Sequence, residues 1–195
     1  MQNPDKMQAR HQEILLAMAA VLAEKDYDAL TLEDVASQMN CSKAVIYYQF
    51  RSKEELYVEL VAQVLKMAAD RLAEIAAGTE PPEIQLRAAV TDLVRIGFLP
   101  MNYAVLRTGR PSSIQPESRT YLRTLDRRYE SMFTDIVERG IASGAVAGRN
   151  ARLVAFTLIH GAHSVFKWYH AGGKLTPEVL AEDVPALLLE GALRR

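Results

Sequence analysis

Three groups of residues in this chain have types and spacings that could do chemistry. The first is Ser42-Lys43-Ala44-Val45 with Tyr47-Tyr48. A hydroxyl and an ammonium at a helix start favour phosphate, because free N–H groups and the helix dipole point the same way. Lys43 can also reach a guanine edge, Ala44 lets the backbone come close, and an outward Val45 would meet a thymine methyl. Tyr47 and Tyr48 offer hydroxyls to phosphates and flat faces to sugars, or serve as packing residues. Lys53, a few residues on, is a second candidate phosphate clamp. The second group is cationic: Arg107, Arg110, Arg119, Arg123, Arg127 and Arg128. Arg119, Arg123 and Arg127 recur every four residues and form one stripe on a helix. The stripe reads either as a solvated face paired with Asp126 or Glu130, or as an anion site at the mouth of an apolar pocket. Candidates for that pocket are Phe98, Met101, Tyr103, Tyr121, Phe133, Phe156, Phe166 and Trp168, although aromatic residues at helical spacing form core more often than pocket. The third group is His160-Gly-Ala-His163, with His170 near. Histidines three apart share a helix face, but metal sites normally add a carboxylate or thiolate, and residues 151–171 supply neither. These histidines are read as lining a ligand cavity or a subunit interface; no metal or cofactor is expected.

The remaining chemistry is sparse. No glycine-rich phosphate loop, His-Glu-x-x-His or nucleophile elbow occurs. Cys41 is the one cysteine; an intramolecular disulfide or cysteine zinc site is therefore excluded, and Cys41 reads as a turn-packing residue. The formal net charge of -1 does not advertise nucleic-acid binding. Yet from Cys41 to Lys53 the only charges are Lys43, Arg51 and Lys53, so a basic footprint exists locally, where a groove-facing helix would need it. No apolar run approaches the roughly 18 residues of a membrane span. Residues 1–10 lack the apolar core of a signal peptide. The default location is the cytoplasm.

Helices must position these groups. Ile14, Met18, Val21 and Leu22 recur at helical spacing within a first helix over about 8–25, preceded by a polar, frayed start from Met1 to about Met7. Thr31 caps a second helix, with Asp34 as its capping-box partner. Met39-Asn40-Cys41 is a tight turn, for which Asn40 tolerates left-handed backbone. Ser42 caps the third helix, whose Val45, Ile46 and Phe50 can face inward. Ser52, with Glu55, opens a fourth helix lasting to Ala76 or Ala77. Gly78-Thr79-Glu80-Pro81-Pro82 breaks the chain. Helices then follow over 84–98, 103–108, 117–143 and 150–171. A last helix opens on Thr176-Pro177 and carries Leu180, Val184, Leu187, Leu188 and Leu193, with Pro185 expected to kink or shorten it. The expected fold is all-α, of about nine helices. A helix-turn-helix domain over 1–53 precedes a ligand-binding and dimerisation domain over 54–195.

Two short helices at a sharp angle, the second with an exposed basic and aromatic face, form the arrangement that enters a DNA major groove. The run from about Ile14 to Leu60 resembles the DNA-binding domain of TetR/AcrR-type transcriptional regulators. The resemblance rests on Tyr27-Asp28-Ala29-Leu30-Thr31, Val35-Ala36, Ser42-Lys43, Ile46-Tyr47-Tyr48-Gln49-Phe50 and Ser52-Lys53-Glu54-Glu55-Leu56. It implies a repressor whose DNA contacts come from Thr31, Ser42, Lys43, Ala44, Val45, Tyr47, Tyr48 and Lys53. The family more often has Gly-Thr at Ala44-Val45, so base preference does not transfer. The stretch Trp168-Tyr169-His170-Ala171-Gly172-Gly173-Lys174-Leu175-Thr176-Pro177-Glu178, with Leu187 to Gly191, is similar to a sub-group that includes regulators of fatty-acid and acyl-CoA catabolism.

The expected partners are double-stranded operator DNA, a small-molecule effector and a second copy of the chain, with no membrane. The effector is expected among the helices between Ile84 and Tyr169, against Phe98, Met101, Tyr103, Phe133, Phe156, His160, His163, Phe166 and Trp168. If it is an acyl-CoA, its phosphates are expected to meet some of Arg107, Arg110, Arg119, Arg123 and Arg127. The other reading is a helical enzyme or small-molecule carrier not acting on DNA, against which the missing catalytic constellation weighs.

Overall fold

The computed structural model describes residues 4–191. Among these the chain forms nine α-helices and no strand. They are α1 (Pro4–Glu24), α2 (Leu32–Gln38), α3 (Lys43–Tyr47), α4 (Lys53–Ala76), α5 (Pro82–Gly97), α6 (Pro100–Thr108), α7 (Pro116–Ala142), α8 (Ala151–Trp168) and α9 (Pro177–Glu190). The all-α expectation holds.

The expected boundaries move at three prolines. Pro82, Pro100 and Pro116 each open a helix, because the first helical position has no amide bond to lose and wants the φ that proline fixes. The first helix begins at Pro4 rather than near Gln8; residues 1–3 lie outside the described residues, as does Leu193. Helix α8 ends at Trp168 rather than Ala171, since Tyr169 turns to extended backbone (φ -63°, ψ 138°). Helix α9 runs through Pro185 without interruption.

Two compact packing units divide the chain. One comprises residues 1–64 and 100–122; the other comprises residues 65–99 and 123–195. In the first, α1 packs on α2 and α6, and α2 on α3. Ile14, Met18, Leu22, Leu30, Val35, Ile46, Phe50, Leu56 and Leu60 are buried there, so the predicted faces of α1, α3 and α4 do meet a core. Polar ties fasten α6 and the start of α7 to that core. Arg107 donates to the carbonyl of Ala23 (2.6 Å), the Tyr57 hydroxyl to Gly109 (3.3 Å), and Glu54 accepts from Gln115 N (3.0 Å) and the Ser118 hydroxyl (2.5 Å).

In the second unit α5 packs on α8 and α9, and α8 on α9. Leu86, Val90, Leu93, Tyr129, Phe133, Ile136, Val137, Leu158 and Ile159 form its core. Gln85 is a buried polar residue with both ends satisfied: its amide donates to Gly78 (2.7 Å) and its oxygen accepts from Arg139 (2.7 Å). Arg71 chelates Asp92 from α4 to α5.

Candidate DNA interface and effector-binding residues

The turn between α2 and α3 is built by local chemistry. Thr31 accepts from Asp34 N (3.2 Å), while the Asp34 carboxylate accepts from Thr31 N (2.9 Å) and its hydroxyl (2.9 Å), completing the predicted capping box. Lys25 holds the other Asp34 oxygen at 2.7 Å. These bonds pull the Asp34 carboxyl down to about 2, Lys25 contributing most. Asn40 has φ 50°, the left-handed corner expected of it, and Cys41 N closes the turn on Ala36 O (3.0 Å).

Helix α3 follows. Ser42 stands at its N-cap position with extended backbone, but its side chain makes no capping bond, leaving the exposed hydroxyl to solvent. The Ser52 hydroxyl does accept from Glu55 N (3.0 Å), while the Glu55 carboxylate turns to Arg51 N (2.6 Å) instead of closing a box on Ser52. Ile46 and Phe50 are buried and Val45 is half-buried. Ala44 is exposed, and so are Tyr47 and Tyr48, the latter to 69%. The Lys43 ammonium lies 5.4 Å from the Tyr47 ring centre and pairs with Glu33 of α2. That bond holds the Glu33 carboxyl below its usual range and raises Lys43. Glu33 was not anticipated as part of this face; its position in the first turn of α2 was the available signal.

Lys53 behaves differently from Lys43. Its ammonium donates to the carbonyls of Tyr27 and Leu30 (both 2.9 Å) and lies 4.4 Å from the Tyr27 ring centre. It stitches the start of α4 to the α1–α2 connection. Burial raises the Tyr27 hydroxyl to about 12, with Glu54 and Asp28 adding.

The residues expected to meet an effector separate by packing unit. Met101, Tyr103, Arg107 and Arg119 belong to the first. There Arg119 donates to the carbonyls of Ser112 (2.8 Å) and Ile114 (3.0 Å), and its Nε is buried without a partner, as is Oδ1 of Asn102. Phe98, Arg123, Arg127, Phe133, Phe156, His160, His163, Phe166 and Trp168 belong to the second. Phe133 and Phe166 are fully buried. A run of ring contacts follows α8: Phe156 on His160 (5.7 Å), His160 on His163 (6.5 Å), His163 on Phe166 (6.4 Å) and Phe166 on Phe98 (5.0 Å), which also meets Tyr169 (4.9 Å). Arg152 caps its outer end over Phe156 (5.2 Å). Burial pushes His163 down to about 4, with His160 and Lys167 adding. Arg123, Arg127 and Trp168 are exposed. A cleft of about 270 Å³ lies elsewhere in this unit, among Leu86, Arg87, Val146, Val154, Leu158 and Leu188. Among the described residues no group of three or more His, Cys, Asp or Glu is placed to hold a metal, and no helix is long and apolar enough to cross a membrane.

A capped short helix, a left-handed corner and a second short helix with exposed tyrosines define a helix-turn-helix transcriptional regulator. Residues 14–60 match the family described as bacterial regulatory proteins, tetR family, and residues 79–192 match the tetracyclin repressor-like C-terminal domain. The chain belongs to the TetR family and is a regulator of transcription rather than an enzyme. It is 24% identical over 184 residues to the HTH-type transcriptional repressor KstR2 of Rhodococcus jostii, covering 93% of this chain and 90% of the relative. Among solved structures it is similar to the TetR family regulator PfmR from Thermus thermophilus, with TM-score 0.82, 26% identity and coverage of 93% and 99% of the two chains. AibR, crystallised with isovaleryl coenzyme A and operator DNA, shares the fold at TM-score 0.81 and 17% identity over 94% of this chain and 100% of that one.

Proposed function

We propose that this protein is a cytoplasmic, homodimeric repressor that holds an operator with its two α3 helices and releases it when a small hydrophobic effector binds. The observation that carries the reading is the outward face of α3, where Ala44, Tyr47 and Tyr48 are exposed beside the part-exposed Lys43. The contact set is Thr31, Ser42, Lys43, Ala44, Val45, Tyr47 and Tyr48, with Lys53 bracing the start of α4 on the Tyr27 and Leu30 carbonyls behind them. Residues 1–53 carry DNA binding, and residues 54–195 carry effector binding and dimerisation. The naming of the KstR2 relatives as repressors supports the sign of the regulation. Exposed apolar side chains on α8 and α9, among them Leu153, Val179 and Leu187, support pairing of these helices between subunits. Light scattering should give a dimer; a stable monomer at micromolar concentration removes that part.

The effector reading draws on the rings along α8. An acyl-CoA would set its acyl chain against Phe98 and Phe166 and its phosphates on Arg123 and Arg127. AibR, which shares the fold, was crystallised with isovaleryl coenzyme A and operator DNA, and this supports the reading. A neutral hydrophobic molecule is the second reading. It is favoured by the engagement of Arg107 and Arg119 with backbone carbonyls, which leaves them fewer donors for an anion. Helix α4 is continuous from residues of the first packing unit into the second, and is the proposed transmission element. Two α3 helices must fit successive major grooves about 34–36 Å apart, so a shift of a few ångströms loses a half-site. The effector must bind the DNA-incompetent state more tightly, since equal affinity shifts nothing.

The experiment is fluorescence anisotropy on DNA upstream of the protein's own coding region. Lys43→Ala and Tyr48→Ala should each weaken binding by about 1–3 kcal/mol if they touch base edges. No binding to any nearby promoter at low salt defeats the DNA reading, and unchanged affinity in both variants moves recognition off α3. Titration of the complex with acyl-CoAs and the matching free acids separates the effector classes. Release by the free acids alone, or an acyl-CoA response retained after Arg123→Ala and Arg127→Ala together, rules out the anion role of that stripe.

A further inference from the structure

We infer that Glu33, a residue of α2 outside the recognition helix, sets how selectively this protein reads DNA by holding the Lys43 ammonium back from the phosphate backbone. The inference rests on the proposed contact of α3 with DNA. Lys43 opens α3 and Glu33 is the second residue of α2. The Lys43 ammonium donates to the Glu33 carboxylate while lying over the Tyr47 ring, so it is held from two sides on the face where Tyr47 and Tyr48 are exposed. Both side chains keep contact with water, 39% exposed for Lys43 and 60% for Glu33; the pair can exchange partners. The other acidic group in the first turn of α2, Asp34, is engaged by Lys25 and Thr31. Glu33 is therefore the carboxylate of that turn that meets α3.

A lysine at a DNA face adds affinity for any sequence, because each phosphate it neutralises releases counterions. Residues 41–53 contain three cations, and Lys53 is turned onto backbone carbonyls. Pairing Lys43 with Glu33 thus cancels much of what remains. If Lys43 stays with Glu33, it neutralises no phosphate. If it leaves, a bare carboxylate faces a polyanion. Either way the pair subtracts sequence-independent binding. The same ammonium, steadied over Tyr47, can still donate to a base edge within its reach. Selectivity is a difference between affinities, and an element that weakens the wrong complex raises it as surely as one that strengthens the right one.

The test uses the full chain and four proteins: wild type, Glu33→Gln, Lys43→Ala and the double variant. Anisotropy is measured across a salt series on a duplex of random sequence and on the upstream fragment that the wild type binds. Glu33→Gln should tighten the random duplex several-fold at low salt. It should steepen the slope of log K against log salt by about 0.9 per half-site, the value of one more neutralised phosphate. The upstream fragment should gain less, so the ratio of the two affinities falls. In the double variant the steepening should vanish. Circular dichroism should show Glu33→Gln folded, since the capping box uses Asp34. An unchanged slope in Glu33→Gln overturns the inference while wild-type binding leaves the DNA reading standing. Steepening that persists in the double variant also overturns it, since the carboxylate would then act by charge alone. A wild type that binds neither DNA defeats the α3 reading and takes this inference with it.

Discussion

Replacing Gly97 with alanine should drive a buried ring out of its seat. Gly97 is the last residue of α5. A Cβ there would lie 2.1 Å from Cζ of Phe166, with Cε2 at 2.7 Å and Cε1 at 2.9 Å. The whole end of the ring rests on the glycine and would have to retreat from 2.1 Å to the 3.4 Å of ordinary contact. Phe166 is fully buried, with Phe98 at 5.0 Å and His163 at 6.4 Å, so the ring has packed neighbours to displace. Overpacking of this kind costs about 1–3 kcal/mol. Alanine returns up to about 1 kcal/mol of helix propensity, and less at a helix end. The net loss should be about 1–2 kcal/mol, lowering the thermal midpoint by roughly 2–8 °C for a chain of this size. Unfolding followed by circular dichroism measures it. The companion variant Phe166→Leu removes the ring end, at a cost of about 1–2 kcal/mol from the space left. Gly97→Ala with Phe166→Leu should then be less destabilised than the two losses added, by at least about 0.5 kcal/mol. A Gly97→Ala protein as stable as the wild type, or losses that simply add, would refute the seating of Phe166 on Gly97.

The remaining predictions concern charge. Asp34 has a depressed folded pKa of about 2 against an ordinary 3.8, so its stabilising contribution is present above about pH 4 and lost as pH falls towards 2. Lys25→Ala should raise the Asp34 midpoint in a carboxyl NMR titration, and an unmoved midpoint would show that the pair does not form. His163 is lowered to about 4 from 6.5, chiefly by burial, so the folded state resists protonating it and stability should fall as pH drops from about 6.5 towards 4. His163→Gln should flatten that part of the pH–stability curve; a variant with the wild-type slope would count against the burial. Lys53→Met keeps the stem and removes both carbonyl bonds, which should cost about 1–2 kcal/mol and leave the salt slope of DNA binding unchanged if stitching is its role. A flatter slope with unchanged stability would return Lys53 to the phosphates.

Local signals made much of the fold legible, although Ser42 makes no capping bond and the Ser52–Glu55 box stays half formed. The Thr31–Asp34 box, the left-handed Asn40 and the Thr176 cap depend on residues three or four apart, and each forms as read. Proline was the ambiguous letter. Pro82 and Pro100 each open the helix that follows a break, and the sequence does not say which side of the break the residue joins. The aromatic pattern was ambiguous in another way. Phe133, Phe156 and Phe166 all lie at helical spacing, yet Phe133 and Phe166 are fully buried while Phe156 is half-buried beside Arg152. Spacing assigns a face; only packing of a second helix against it decides whether that face is core.

The cations show the same limit more sharply. Lys53, Arg107 and Arg119 were read as hands for phosphate, and each holds backbone carbonyls instead. Their acceptors share an origin. Ala23 lies in the last turn of α1, Tyr27 and Leu30 in the connection to α2, and Ser112 and Ile114 in the connection from α6 to α7. Helix ends and loops leave carbonyls without intrahelical partners, and a guanidinium or ammonium satisfies one as readily as it satisfies a phosphate. A sequence shows the donor and hides the orphan acceptor, since the acceptor is the same peptide group at every position. Arg123 and Arg127 escape this fate for a reason that can be read from the helix itself. They lie inside α7, whose ends are at Pro116 and Ala142, and the carbonyls beside them are already taken by the helix. Their side chains stay exposed, and neither is committed to a helix-end or loop carbonyl as Arg107 and Arg119 are. Changing them together is therefore the decisive perturbation for an anionic effector, whereas Arg119→Ala would confound lost binding with a freed α6–α7 loop.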